Sequence, residues 1–182
     1  MENVVLGLLI IHSLTLYDLN RAFKQGISMF YSASYGSLQI AIKNLLAKEM
    51  VVFEERVDKG RNKKVYSITE HGQAAFYQWM LDEIPTSKLE VTALSKVYFL
   101  GLIQDMDQRK QIVLEILKKI EYVQQELAKI NREIRQVEIP LAYPEILNYQ
   151  LKTLDYGLKA HAFGKEWFGD LLNNLDPKEE PR

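Results

Sequence analysis

The sequence predicts a mainly α-helical protein with one small β-hairpin. Three observations carry this. Apolar residues recur at three- and four-residue intervals over most of the chain, the period of an amphipathic helix. Between Met50 and Ile68 that period gives way to two β-rich runs, Met50–Arg56 and Lys63–Ile68, on either side of the turn signal Asp58-Lys-Gly-Arg-Asn62. Beyond Pro85 no strand signal follows, and the chain reads as helix almost to its end.

The elements follow in order. Glu2 to Ile11 is an apolar first helix. Thr15-Leu-Tyr-Asp18 has capping-box spacing, with Asp in place of the usual Glu, and starts a second helix in which Leu16, Leu19 and Phe23 repeat at helical spacing. Ser28 to Ser34 is loop-like, and a third helix spans about Tyr35–Lys48 with Leu38, Ile42, Leu45 and Leu46 inward. After the hairpin, Thr69 caps a fourth helix through Ala75, Phe76, Trp79, Met80 and Ile84, ended by Pro85. Thr86/Ser87 starts another, carrying Leu94, Val97, Tyr98 and Leu102 to about Gln104, and Asp105–Asp107 breaks it. Val113, Ile116, Ile120, Val123, Leu127, Ile130, Ile134 and Val137 then follow at spacings 3,4,3,4,3,4,3, a heptad stripe. Pro140 and Pro144 permit a reversal into a last helix with Leu147, Leu151, Leu154 and Leu158. The expected organisation is an N-terminal domain at 1–85, a helical domain at 86–176 and a disordered tail at 177–182.

Composition narrows the function classes. With 182 residues, 47% hydrophobic and 26% charged, the chain is of globular type. The absence of cysteine excludes a disulfide framework, a thiolate metal site and a cysteine nucleophile. No basic leader region and no apolar run approaching ~20 residues is present, so the expected compartment is the cytoplasm, with no membrane partner. His12, His71 and His161 lack metal-ligand spacing, so neither metal nor cofactor is expected. There is no Gly-rich phosphate loop, Gly-x-Ser-x-Gly or His-Glu-x-x-His, and the adjacent pairs Glu54/Glu55 and Glu179/Glu180 read as solvated. The chain reads as a regulator, not an enzyme.

Three helices followed by a hairpin is the plan of a winged helix-turn-helix, which sets its third helix in the major groove and its hairpin tip against phosphates. The total of 23 basic and 24 acidic residues argues against DNA only until the charges are placed. The tip Asp58–Lys64 carries +3 over seven residues. The candidate DNA-binding residues are Tyr17, Ser32, Ser34, Tyr35, Ser37, Gln39 and Lys43 around the second and third helices, and Lys59, Arg61, Asn62, Lys63 and Lys64 at the tip. The alternative is a winged-helix protein-interaction module without DNA binding.

Four blocks in order, Val4-Val-Leu-Gly-Leu-Leu9, Leu16-Tyr-Asp-Leu19, Phe30-Tyr-Ser-Ala-Ser-Tyr-Gly-Ser37 and Lys64-Val-Tyr-Ser-Ile-Thr-Glu-His-Gly72, resemble the PadR family of bacterial transcriptional regulators. The resemblance is close over residues 1–82. The helical second half is similar in plan to the family's longer, virulence-activator-like C-terminal domain. The resemblance implies a homodimeric repressor that binds double-stranded DNA. It also marks two departures: Leu16 stands where the family usually has a small residue, and Gln39-Ile40 stands where its third helix usually carries Tyr-Pro. The contact of that Tyr passes to Gln39, which can pair bidentately with adenine.

A heptad stripe packs within one chain or against another. A C2 dimer is expected through Val113, Ile116, Ile120, Val123, Leu127, Leu151, Leu154 and Leu158, with an intramolecular hairpin as the alternative. Family members respond to phenolic or aromatic compounds, which invites a small aromatic effector at Tyr149, Tyr156, Phe163 and Trp167, with Trp79 near the junction. An aromatic stripe at helical spacing also serves as core.

Overall fold

The computed structural model describes residues 1–58, 61–134 and 144–175. The chain divides into two compact units, Met1–Asp82 with Glu90–Gln104, and Glu83–Leu89 with Asp105–Arg182. The first is a winged helix-turn-helix: α1 (Glu2–Ile11), β1 (Leu14–Thr15), α2 (Leu16–Gln25), α3 (Tyr35–Ala47), β2 (Val51–Asp58), β3 (Arg61–Ile68) and α4 (Glu70–Leu81). Helix α5 (Leu89–Tyr98) follows, then α6 (Met106–Ile134) and α7 (Pro144–Asn174). Among the described residues no helix is long and apolar enough to cross a membrane.

Helix α1 is apolar on nearly every side because it is the centre of the first unit, with Val4, Val5, Leu6, Leu8 and Leu9 buried. Leu19 and Phe23 of α2, Leu38, Ile42 and Leu45 of α3, and Phe76 and Met80 of α4 complete this core. Gly7 is required by the packing, since a Cβ there would lie 2.8 Å from the rings of both Phe76 and Phe99. Gly72 is required more strictly, because its Cβ would meet the Met50 carbonyl oxygen at 2.2 Å.

The caps expected at Thr15 and Thr69 are formed. Thr15 Oγ1 accepts from the Asp18 amide (3.2 Å) and donates to the Asp18 carboxylate (2.7 Å). Thr69 Oγ1 accepts from the Gly72 amide (3.1 Å) and donates to the Glu49 carbonyl (2.8 Å). The end of α3 departs from sequence expectation. Met50 N donates to Leu45 O (2.9 Å) and Glu49 N to Leu46 O (3.0 Å), the paired bonds of a Schellman turn. Its left-handed position is held by Glu49 at φ 55, where glycine is usual. Glu49→Gly is therefore expected to raise stability by about 0.5 kcal/mol, the relieved strain exceeding the added freedom of the unfolded chain. Denaturant unfolding measures it, and a loss of stability would contradict the strain.

Three expectations are corrected. The sheet has three strands in the order β1-β3-β2, because Leu14 and Thr15 pair with Tyr66 and Val65. The hairpin is longer than the turn signal suggested, with Asp58 opposite Arg61, so Arg61 and Asn62 belong to β3. The single helix expected from Thr86 to Gln104 is three pieces: 3-10 turns at Thr86–Lys88 and Leu100–Leu102 flank α5. The chain leaves α-helical geometry at Phe99, and the 3-10 turn that follows buries Phe99, Leu100 and Ile103.

In the second unit α6 and α7 pair antiparallel. Gly164 lies against Ile120, a Cβ there being 3.6 Å from Ile120 Cδ1, and Gly157 lies against Leu127 at 3.4 Å. Lys165 Nζ meets Glu121 Oε1 at 2.8 Å, and Lys119 bonds Glu83. Val113, Ile116 and Ile120 are buried in the single chain, while Val123, Leu127, Leu151, Leu154 and Leu158 are half-buried. Val137 lies outside the described residues. The reading of the aromatic stripe as core is corrected: Tyr149, Tyr156 and Phe163 are 70%, 74% and 66% exposed, because that face of α7 points away from α6.

Candidate nucleic-acid interface

The interface is built on the N-terminal turn of α2, the outward face of α3 and the hairpin. Helix α3 starts in a reciprocal serine cap: Ser34 Oγ accepts from the Ser37 amide (3.1 Å) and Ser37 Oγ accepts from the Ser34 amide (2.9 Å). Ser37 Oγ also donates to the Ser34 carbonyl (2.8 Å). Both hydroxyls thus shape the start of α3, a role the sequence reading missed although the Ser-x-x-Ser spacing signals it.

Successive helix residues turn by about 100°. Leu38, Ala41, Ile42 and Leu45 are buried and define the inner side. Gly36, Ile40, Lys43 and Ala47, at i, i+4, i+7 and i+11, are exposed and lie opposite. Gln39 and Asn44 sit on the two flanks. Asn44 Nδ2 donates to Glu2 Oε1 (3.0 Å) and Lys48 Nζ to Glu2 Oε2 (2.6 Å), so Glu2 ties the far end of α3 to α1. The Lys48 ammonium, first among several causes, holds the Glu2 carboxyl below the usual carboxylate range. Ile40, noted in the sequence as a departure from the family's Tyr-Pro pair, was not among the candidate contacts; its signal was an apolar residue off the Leu38/Ile42/Leu45 stripe.

On the hairpin, alternate residues share a face. Arg56 stands directly opposite Lys63, two like charges on one face. Arg56 pairs with Glu54 at 3.1 Å, an exposed pair of small worth. On the other face Lys64 Nζ lies 4.1 Å from the centre of the Phe53 ring and 3.9 Å from Glu55 Oε1. Burial, then the charge of Tyr35, push the Tyr66 phenol up.

A depression of about 440 Å³ lies between α2 and β3, lined by Thr15, Leu16, Tyr17, Asp18, Lys63, Lys64 and Tyr66. It brings Tyr17 together with two wing cations. Tyr17, Ser32, Ser34, Tyr35, Gln39, Lys43, Asn62, Lys63 and Lys64 are all exposed, and Ser37 is half-buried. Lys59 and the side chain of Arg61 lie outside the described residues. Trp79 is half-buried in the first unit, whereas Tyr149, Tyr156, Phe163 and Trp167 are exposed in the second.

The chain is similar to known proteins as follows. The model of the "Transcriptional regulator PadR-like family" matches residues 5–78. The negative transcriptional regulator PadR of Bacillus subtilis (strain 168) is 24% identical over 129 residues, spanning 65% of this chain and 71% of that protein. Among solved structures, Bacillus subtilis PadR in complex with operator DNA is 21% identical with a TM-score of 0.45, covering 96% of this chain and 98% of that one. The same protein in complex with p-coumaric acid is 19% identical with a TM-score of 0.42, covering 97% and 95%. The part of this chain that is similar to the transcriptional regulator PadR-like family is residues 5–78, which hold most of α1, all of α2 and α3, the hairpin and most of α4.

Proposed function

We propose that the chain is a sequence-specific DNA-binding transcriptional regulator acting as a homodimeric repressor. The observation that carries this reading is the convergence of Tyr17, Lys63 and Lys64 on one depression beside a solvent-facing α3 that offers Gln39 and Lys43. Lys63 and Lys64 would contact phosphates, and Gln39 would read an adenine edge. The dimer sets two such wings at half-sites roughly 34 Å apart. The 1–85 domain carries the DNA contacts and the helical remainder the dimer contacts.

The test is a salt series of fluorescence anisotropy with duplex DNA from upstream of the chain's own gene. Binding should weaken linearly in log–log coordinates as salt rises. Lys63→Ala with Lys64→Ala should reduce the slope by about 2 and weaken binding to every duplex alike. No binding at low salt would reject the reading and leave a winged-helix protein-interaction module.

The reading extends to a small aromatic effector. Trp79 is 5.8 Å from Phe76, and the buried Lys96 ammonium, which donates to the Asp82 carbonyl (2.5 Å), lies 5.9 Å from its ring. Half-buried Trp79 in the first unit and exposed Tyr149, Tyr156, Phe163 and Trp167 in the second are the candidate contacts. Titration of wild-type and Trp79→Phe protein with aromatic acids, read by tryptophan fluorescence, separates Trp79 from Trp167. Flat titrations across the panel would reject it.

A further inference from the structure

We infer that Ile40 is a base-reading residue of this chain, one that contacts the C5-methyl group of a thymine in the major groove. The inference rests on the DNA-binding reading and adds the identity of a base to it. Ile40 is 62% exposed near the centre of the α3 face opposite the core, between Gly36 one turn before and Lys43 one turn after. Gln39 lies to one side of that centre, and Asn44 on the other side is engaged by Glu2. The group nearest the centre of the exposed α3 face is therefore a branched alkyl chain, with Lys43 beside it.

The chemistry of that group restricts what it can read. Isoleucine neither donates nor accepts a hydrogen bond. In the major groove the T·A pair is the one that presents a methyl group; the other edges are donors and acceptors that an alkyl chain would leave unpaired. A T·A pair is thus favoured by apolar contact, and G·C is disfavoured by desolvation without compensation.

Gly36 adds an independent observation. A Cβ there would meet Ser34 Oγ at 3.9 Å, an ordinary contact, so nothing inside the chain requires glycine. Glycine gives up more conformational freedom on folding than alanine does, a cost without a return inside the chain at this position. Its place one turn ahead of Ile40 suits close approach of an outside surface to the α3 backbone, which lets the shorter reach of isoleucine, compared with glutamine or arginine, touch a base edge.

The experiment uses the full chain. Duplexes selected from a random pool are resynthesised with deoxyuridine in place of thymidine, one position at a time. This removes the methyl group and keeps base pairing and the O4 acceptor. At one thymine in each half-site the exchange should weaken wild-type binding about fourfold, the effect of one buried methyl group. Ile40→Ala should bind the thymidine and deoxyuridine duplexes equally, with the salt slope of the wild type. Ile40 is exposed, so the variant should keep the circular dichroism and melting temperature of the parent. The inference is overturned if no position responds to deoxyuridine while DNA binding persists, or if Ile40→Ala retains the discrimination. A pool that yields no enriched duplex at low salt overturns the DNA-binding reading and this inference together.

Discussion

Phe76→Ala is expected to destabilise the first unit by about 3–5 kcal/mol. A domain of this size has about 5–15 kcal/mol in all. The ring is fully buried and meets three others: Phe99 edge-on at 5.7 Å, Tyr77 edge-on at 5.6 Å and Trp79 tilted at 5.8 Å. It also lies where a Cβ on Gly7 would stand 2.8 Å away, so α1 has been drawn onto it as closely as glycine permits. Helices α1 and α4 cannot close the resulting cavity without breaking the caps and turns that fix their ends. Guanidinium unfolding followed by circular dichroism measures the loss. Exposed Tyr77 is the comparison, since Tyr77→Ala should cost less than about 1 kcal/mol. Equal losses at the two positions would mean that this ring cluster does not organise the unit.

The second large effect is expected from Tyr156→Glu combined with Phe163→Glu. Both side chains are exposed on the α7 face opposite α6, continuous with Ile146, Tyr149 and Trp167, all exposed as well. A row of large apolar groups over five helical turns is more than a monomer usually leaves to water. The charged variant should keep its helical content, because the inner row of Leu154, Leu158 and Gly157 is untouched. Light scattering should report a monomer. DNA affinity should fall by about 10²-fold or more, the gain that linking two half-site contacts supplies. A variant that remains a dimer would place the subunit contact elsewhere. A monomer with full affinity would separate dimerisation from DNA binding.

Much of the first unit is legible in the sequence because its signals are local. Thr15 and Thr69 announce helix starts by side chains that can reach only nearby amides. The inward rows of α2 and α3 have the helical period. What was not legible depends on partners distant in the chain. Strand β1 is two residues long and shows no alternation; it exists because β3 has a free edge beside it. The turn at Glu49 carries no glycine, so its left-handed backbone is set by the two carbonyls of α3 and the following strand. The α6 stripe is regular in sequence, yet regularity says nothing of whose helix fills it. In the structure its first half, Val113, Ile116 and Ile120, is covered in the single chain. The α3 face divides in the same way: its polar members were evident as candidate contacts, whereas Ile40 became evident only when the buried residues fixed which way α3 is turned.

The pairing of Asp58 with Arg61 leaves two residues to connect the strands. This sets a rule for how the hairpin can change length. A single residue inserted into β3 ahead of Lys63 would leave Lys63 opposite Arg56, because β1 and β2 both hold Val65 and Tyr66, and the shift would fall on the tip side. Lengthening that preserves the charge pattern is therefore expected at the tip, where added residues leave Lys63 opposite Arg56 and Lys64 opposite Glu55.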